Sequence, residues 1–316
     1  MVSVIICTYN RSESLKDTLQ ALKVQKLPDG VSLEIIIVDN NSSDSTHAVV
    51  IDSEVNSPWP VHYLFEPTPG KCFALNRGIK QAKGELIALT DDDTIPGPDW
   101  VNALWAGYKL YAADCTGGRI LPLWVEKPPS WLMKHTVCLQ MLAMIDHGDA
   151  PAFLSSFDPG FLFGANMAYR KKTFDDVGLF NTDLGPKGGD QMRGEDTDML
   201  ERFVNAGKRI AYIPGAIVYH KVPKERMSRS YFRRWRFESG RATCVQRGMK
   251  NSHFPLWLLR ECFGNFFQAI YGYAIFDSCR AFKAEMIFWF QCGEIIELTK
   301  DYGTVYQNIK KKASRI

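Results

Sequence analysis

The sequence predicts an α/β fold, in which a mostly parallel sheet flanked by helices is followed by a C-terminal helical region. The first observation is that short β-branched runs alternate with segments of helical spacing through the first third of the chain. Strands that alternate with helices imply right-handed crossover connections and therefore parallel strands. The second observation is a change after about residue 220, where basic and aromatic residues replace the alternation.

Length and composition limit the class of protein. The chain has 316 residues, of which 46% are hydrophobic and 23% are charged, as in ordinary globular proteins. These values exclude a disordered chain, a collagen-like repeat and a simple coiled coil. The length allows one large domain or two modest ones. The net charge of +3 excludes a strongly basic nucleic-acid binder.

The expected elements of the first third follow from its apolar runs. Strands are expected at residues 2–8, 34–38, 61–65 and 85–90. Helices are expected at residues 12–25 and 72–83, and Ser12 is a candidate N-cap of the first helix. Residues 97–220 are less regular. There we expect helices at 98–113 and 194–206, strand-like runs at 117–123 and 161–170, a loop at 124–131, and a strand pair at 209–219.

Polar clusters follow three of the expected strands, at residues 8–11, 39–44 and 91–93. In open parallel sheets, ligands bind beyond the carboxyl ends of the strands. The sequence therefore predicts that these three clusters meet at the functional edge of the sheet.

The strongest of the clusters is the run of Asp91, Asp92 and Asp93. Three adjacent carboxylates repel one another unless positive charge is nearby, and oxygen ligands suit a hard divalent cation. Such a cation could neutralise a leaving diphosphate. A solvated acidic turn is the alternative interpretation. The strand-like character of the preceding residues favours the cation site.

Three further positions have both a functional and a structural interpretation. Asp39 could accept hydrogen bonds from a ribose or a base, or it could cap a helix. Glu195 and Asp196 open a helix, where acids favour the helix dipole, but a carboxylate there could also act as a general base. His220 follows an apolar run and is a structural histidine or a metal ligand.

The motifs in their order resemble family 2 of the glycosyltransferases, which have the Rossmann-like GT-A fold. The resemblance covers about residues 1–220, divided into a nucleotide-sugar half (1–96) and an acceptor half (97–220). It rests on a first strand and turn (4–11), a nucleotide loop (38–44), a third motif (70–71 with 74–79), the acidic metal motif at Asp91 to Asp93, and the Glu195-Asp196 pair. Asn40 and Leu75 depart from the pattern, since many members have an acid and an arginine there.

The resemblance implies inverting transfer of one sugar from a nucleotide-diphosphate sugar, with a UDP-sugar expected, to a hydroxyl of a glycan or of a polyprenyl-diphosphate-linked saccharide. A single addition is expected because the QxxRW signature of processive enzymes is absent. Asp196 would be the base and Glu195 would support it. Asp93, His220 and Asp91 would bind Mn²⁺ or Mg²⁺. The donor would be bound by Thr8, Tyr9, Arg11, Asp39, Asn41, Lys71, Asp91 and Asp92.

Two other functions are compatible with the same residues. A nucleotidyltransferase shares a metal site at a strand end, but the Glu195-Asp196 pair suits an acceptor base better. A non-catalytic membrane-associated scaffold could retain the fold, but every acidic catalytic position is filled.

The C-terminal part, residues 221–316, has 18 Lys and Arg against 8 Asp and Glu, whereas residues 1–220 have 20 against 27. The net charges are therefore +10 and −7. Basic and aromatic residues together predict a helical region that binds an anionic membrane surface. The aromatic residues expected in the interface are Trp257, Phe263, Phe266, Phe267, Tyr271, Phe288, Trp289 and Phe290.

The alternatives for this region are a helical lid and an interface between copies in a homo-oligomer. Nucleic acid is not expected as a partner because no recognition motif accompanies the basic residues. The N-terminus has no signal-peptide pattern, and no stretch has the roughly 18 uncharged apolar residues that span a bilayer. The eight cysteines form no CxxC pair, which is typical of reduced thiols. A cytoplasmic protein, peripheral at the inner face of the membrane, is expected.

Overall fold

The computed structural model describes residues 1–155, 161–187, 192–249 and 255–313, with side chains up to Thr299. The chain divides into two compact units. The sheet unit contains Met1–Thr182 and Glu195–Lys224, and the helical unit contains Asp183–Gly194 and Glu225–Ile316.

Within the described residues, the sheet unit is built on one sheet of nine strands. The strands are β1 (Val2–Thr8), β2 (Leu33–Asp39), β3 (Val61–Phe65), β4 (Leu86–Asp91), β5 (Thr94–Pro96), β6 (Cys115–Trp124), β7 (Ala152–Leu154), β8 (Met167–Arg170) and β9 (Ile210–Val222). Their order is β3-β2-β1-β4-β8-β6-β9-β5, and β7 pairs with β9. The first four strands in this order are parallel, as predicted, and the remainder is mixed.

Helices cover the sheet and connect its strands. They are α1 (Ser12–Lys23), α2 (Thr46–Asn56), α3 (Lys71–Gln81), α4 (Trp100–Leu110), α5 (Ser130–Met133), α6 (Thr136–Met141), α7 (Thr173–Val177) and α8 (Glu195–Asn205). A short 3₁₀ turn, Gly164–Asn166, precedes β8. Every residue of β2 is buried, which explains its unbroken apolar run, since parallel strands are covered on both faces. Leu15, Leu19 and Leu22 of α1 join the core, as their spacing predicts.

Some predictions at the level of single elements are wrong. The expected strand pair at 209–219 is one long strand, β9, whose pairing with β6 shifts register between Gly118 and Arg119. The expected strand at 161–170 is shortened to β8 because the 3₁₀ turn takes its middle. Ser12 is the first residue of α1 and not its N-cap. Its backbone N–H instead donates to Asp44 Oδ2 at 2.9 Å.

The helical unit contains α9 (Arg229–Gln246), α10 (Leu256–Ala274) and α11 (Ser278–Ala313). The backbones of α9 and α11 meet at two glycines, because a Cβ at Gly240 would collide with the Phe290 carbonyl and one at Gly293 with the Phe237 carbonyl. Arg241 lies buried in the same interface, where it pairs with Glu238 and Glu297. Among the described residues, no helix has both the length and the apolarity to cross a bilayer.

Asn166 ties the sheet together below the functional edge. Its side-chain amide donates to the carbonyls of Arg119 and Ala216, each at 2.8 Å, and its Oδ1 accepts from Trp100 Nε1 at 2.7 Å. The residue is fully buried. The amide is required because it donates on one side and accepts on the other.

We expect Asn166→Asp to lower the free energy of unfolding by about 3 kcal/mol, because it buries a charge and leaves two carbonyls without donors. Urea denaturation followed by circular dichroism measures the change. The control is Gln20→Glu, at an exposed position of α1, which should stay within about 0.5 kcal/mol of the parent. Equal stabilities of the two variants would contradict this role of Asn166.

Candidate active site

The carboxyl ends of the parallel strands meet at one edge, as the sequence predicts. In the register of the sheet, Thr8 lies beside Asp39, and Cys7 lies beside Asp91. The three polar clusters therefore lie on neighbouring strands. A cleft at this edge is lined by Cys7, Lys71, Leu75, Leu89, Thr90, Asp91, Gly164 and Asp196.

Asp91, Asp93 and His220 form a group whose ligand atoms all lie within 4.8 Å of one another. The short strand β5, which sequence analysis missed, brings the histidine to the acids. In the antiparallel pairing of β5 with β9, Thr94 faces His220, and the Lys221 N–H donates to the Asp93 carbonyl at 3.0 Å. His220 Nε2 consequently lies 3.4 Å from Asp93 Oδ1.

Arg11 offsets part of the negative charge at this edge. Its guanidinium lies 2.9 Å from Asp92 Oδ1 and 3.1 Å from Asp93 Oδ2. Asp92 is buried, and its burial raises its pKa to about 6, with Asp93 acting in the same direction and Arg11 against it. The structure thus places Arg11 and Asp92 in contact with each other beneath the acidic edge.

The chemistry of these ligands fits a divalent cation such as Mn²⁺ or Mg²⁺. Two carboxylates and one imidazole are ligands of the kind that Mn²⁺ accepts. The charge of the acids also has to be balanced, and in this structure Arg11 and Lys71 balance it from the side. Asp91, Asp93 and His220 would hold the ion.

Asp39 lies at the end of β2 and is buried. Its Oδ1 accepts from the Ser42 N–H and its Oδ2 from the Tyr63 hydroxyl, both at 2.8 Å. Partial burial and the Asp39 carboxylate raise the pKa of Tyr63 to about 12, so the phenol remains a donor. The sequence analysis predicts the strand that contains Tyr63 but not its pairing opposite Ile37, so it misses this residue.

The loop after β2 is held by side chains that bridge the neighbouring loops. Asp44 accepts from the backbone N–H of Ser12 and of Thr46, so it caps both α1 and α2. Burial alone would raise the pKa of Asp44, but the hydrogen bonds from Thr46 and Ser12 lower it to about 2. Tyr9 stands exposed after β1. Asn41 stands exposed within the loop after β2 and has a left-handed backbone with φ of 67°.

Asn40, one of the departures from the family pattern, has a structural reason. Its Nδ2 donates to the carbonyls of Glu66 and Thr68, and its Oδ1 accepts from the Gly70 N–H at 2.7 Å. An acid could not make the two donations. Asn40 therefore holds the loop that leads into Lys71. Leu75, the other departure, is buried and lines the cleft.

Lys71 links the acidic edge to the Glu195-Asp196 pair. Its Nζ lies 3.0 Å from Asp91 Oδ1 and 3.5 Å from Glu195 Oε1. Burial alone would lower the pKa of Lys71, but Asp91, Glu195 and Asp196 outweigh it and hold that pKa well above its ordinary value. The side chain is therefore a permanent cation between two groups of acids.

Asp196 lies in the first turn of α8 and points into the cleft. Its Oδ2 accepts the Gly164 N–H at 2.8 Å, whereas its buried Oδ1 has no hydrogen-bond partner within the described part of the chain. Burial and the neighbouring Glu195 raise the pKa of Asp196 to about 7. Gly164 permits this approach, because a Cβ there would lie 2.6 Å from Asp196 Oδ1. The sequence offered a glycine before Ala165 and Asn166 but no sign of this contact.

Comparisons with known proteins agree with the arrangement. A family model described as glycosyl transferase family 2 matches residues 3–178. The succinoglycan biosynthesis protein ExoM of Rhizobium meliloti is 27% identical over 243 residues, which cover 76% of this chain and 72% of that protein. The glucosyl-dolichyl phosphate glucuronosyltransferase of Haloferax volcanii is 25% identical over 226 residues, which cover 70% and 69%.

Among solved structures, the mannosyltransferase PcManGT from Pyrobaculum calidifontis, in complex with GDP-Man and Mn²⁺, matches with a TM-score of 0.62 and 18% identity. The match covers 95% of this chain and 87% of that one, and it supports the GT-A fold. Since the family model spans more than half of the residues, and the cleft carries the family's acidic motifs in place, the chain belongs to glycosyl transferase family 2 and is a glycosyltransferase.

Proposed function

We propose that this enzyme transfers one sugar from a nucleoside-diphosphate sugar to a hydroxyl of a glycan or of a lipid-linked saccharide, with inversion at the anomeric carbon. The observation that carries the proposal is Asp196 Oδ1, a buried carboxylate oxygen without a hydrogen-bond partner among the described residues, in the same cleft as Asp91. A carboxylate oxygen in this position can accept one more hydrogen bond, and an acceptor hydroxyl could donate it.

The donor is proposed to lie along the carboxyl ends of β1, β2 and β4. Exposed Tyr9 and Asn41 flank the place for the nucleoside, and Thr8 and Asp39 form its floor. Lys71 and Arg11 both contact the acidic edge and would face the diphosphate. When bound by Asp91, Asp93 and His220, a divalent cation would supply positive charge for the departing diphosphate.

Asp196 is proposed to act as the general base. An acceptor hydroxyl within hydrogen-bond reach of Oδ1 would give its proton to this oxygen as its own oxygen bonds to the anomeric carbon. The bond from that carbon to the diphosphate breaks on the opposite face, so the configuration inverts. The Gly164 N–H holds Asp196 in place, and Lys71 holds Glu195. Neither group gains or loses a proton in the step.

The acceptor class is proposed from the relatives. Their names refer to succinoglycan biosynthesis and to a glucosyl-dolichyl phosphate, that is, to a polysaccharide and a lipid-linked sugar. A UDP-sugar is proposed as the donor. A nucleotidyltransferase would need no acceptor base, and the position of Asp196 in the cleft therefore favours glycosyl transfer.

The metal site can be tested by binding alone. We expect Mn²⁺ to raise the melting temperature of the parent. In the presence of Mn²⁺, a UDP-sugar should raise it further, and by more than GDP- or dTDP-sugars do. Asp93→Asn should lose the response to Mn²⁺, because it removes one ligand charge. Asp99→Asn is the control and should respond like the parent, because Asp99 is an exposed acid beyond β5 that pairs with Lys26. An undiminished response of Asp93→Asn would refute the metal assignment.

The base can be tested by separating donor binding from transfer. We expect Asp196→Asn to bind the donor with unchanged affinity and to lower kcat by about a thousandfold, since an amide cannot accept the proton. Calorimetry measures binding, and release of nucleoside diphosphate measures turnover. Asp198→Asn, on the same helix but paired with Arg202, should keep full activity. A fully active Asp196→Asn enzyme would eliminate Asp196 as the base.

The pH dependence has a defined sign. Because burial and Glu195 raise the pKa of Asp196 to about 7, the ionised base becomes more abundant as the pH rises through that value. We expect kcat/KM to increase with pH up to about 7 and then to level off, with a slope of about tenfold per pH unit on the acid side. Steady-state kinetics between pH 5 and 9, with buffers of constant ionic strength, would show it. A flat profile across this range would contradict the assignment.

A further inference from the structure

Helix α10 is apolar on both of its sides. One stripe, formed by Leu258, Cys262, Ala269 and Gly272, is buried. The opposite side is exposed, although only two of the 19 residues, Arg260 and Glu261, are charged. A helix that faces water normally has a polar outer face. The exposed side instead presents Trp257, Phe263, Phe266, Phe267, Ile270 and Tyr271.

The turn between α10 and α11 continues this surface to a protruding tip. Phe276 is 95% exposed and has a left-handed backbone with φ of 59°. The Asp277 N–H closes the helix end by donating to the Gly272 carbonyl at 2.9 Å. Glycine is the usual residue at this position of a helix C-terminus. A phenylalanine there is unfavourable in water twice, through its backbone conformation and through its exposed ring.

Arginines border the tip beside tyrosines. The Arg280 guanidinium lies 5.4 Å from the centre of the Tyr271 ring, and Arg229 Nη1 lies 2.8 Å from the Tyr273 hydroxyl. Tyrosine and arginine both combine an apolar body with a polar end, which suits them to the boundary between hydrocarbon and water. The exposed apolar side of α10 is thus bordered, near the Phe276 tip, by arginine and tyrosine side chains whose polar ends can remain hydrated.

We propose that the exposed side of α10 and the Phe276 tip lie in the interface of an anionic lipid bilayer, with Arg280 and Arg229 at the level of the headgroups. The net charge of +10 in residues 221–316 is complementary to such a surface. A second copy that docked through the same side of α10 would instead bring two positively charged regions together. The proposal needs only lateral burial of the helix, so it agrees with the lack of a spanning helix in the described residues.

Flotation of the full-length chain with vesicles tests the proposal. We expect the parent to float with vesicles made of equal parts phosphatidylcholine and phosphatidylglycerol, and weakly with phosphatidylcholine alone. Phe276→Gly should reduce the partition coefficient about tenfold without lowering the melting temperature, because glycine is favoured at this cap. A purely structural role for Phe276 would change stability and leave flotation unaltered.

Phe267→Ala should also float less than the parent, whereas Leu110→Ala, an equally exposed apolar residue near the end of α4, should float like the parent. Failure of the parent to bind anionic vesicles would overturn the proposal, as would unchanged flotation of Phe276→Gly and Phe267→Ala. So would a dimer in sedimentation that Phe267→Ala disperses while vesicles remain unbound, because the occupant would then be a second copy. Vesicle binding needs neither donor nor turnover, so its failure would leave the proposed transfer reaction intact.

Discussion

Repulsion among carboxylates at one edge of the sheet is the constraint on which the site depends. Asp91, Asp92 and Asp93 emerge from β4, and Glu195 and Asp196 open α8 beside them. Such a cluster would destabilise the fold in the absence of positive charge. Arg11 is anchored on Asp92 and Asp93, and Lys71 lies between Asp91 and Glu195. The two cations therefore allow the acids to remain together. A metal ion bound there would add positive charge, and the diphosphate of the donor would offset it.

The same electrostatic balance divides the acids by role. Asp196 has one buried carboxylate oxygen, accepts one backbone N–H and has a raised pKa, which suits a group that takes up a proton near neutral pH. Asp44, in contrast, accepts two backbone N–H groups at the surface and has a pKa of about 2, which suits a permanent cap. Burial and hydrogen bonding, more than sequence position, separate a candidate base from a structural carboxylate.

Much of the sheet unit could be predicted because its signals are local. β1 and β3 were predicted to the residue, and the acidic clusters were expected at the edge where they are found. The errors lie where tertiary pairing overrides local pattern. β5 has three residues and exists because β9 passes beside it, and the contact of Gly164 with Asp196 joins positions 32 residues apart. No local periodicity encodes either contact. The place of His220 after an apolar run suggests a metal ligand, but only the resemblance links His220 to Asp93.

In the C-terminal region too, tertiary contacts change what the sequence composition indicates about the exposed charge and the exposed aromatic residues. Of its arginines, Arg241 is buried between two glutamates, Arg233 is paired with Glu285, and Arg236 stacks over the Phe290 ring. Phe288, Trp289 and Phe290 of α11 are likewise half-buried, and the ring of Phe288 contacts Phe266. Lys250, another basic residue of this region, lies outside the residues that the structure describes. The sequence composition therefore overstates the number of arginines and the aromatic area available for binding on α9 and α11, although the net charge of the region already counts the glutamates that pair with them. The exposed side of α10 is a smaller surface than the composition of the whole region indicates. Its apolar side chains are exposed to water, whereas those of α11 are half-buried.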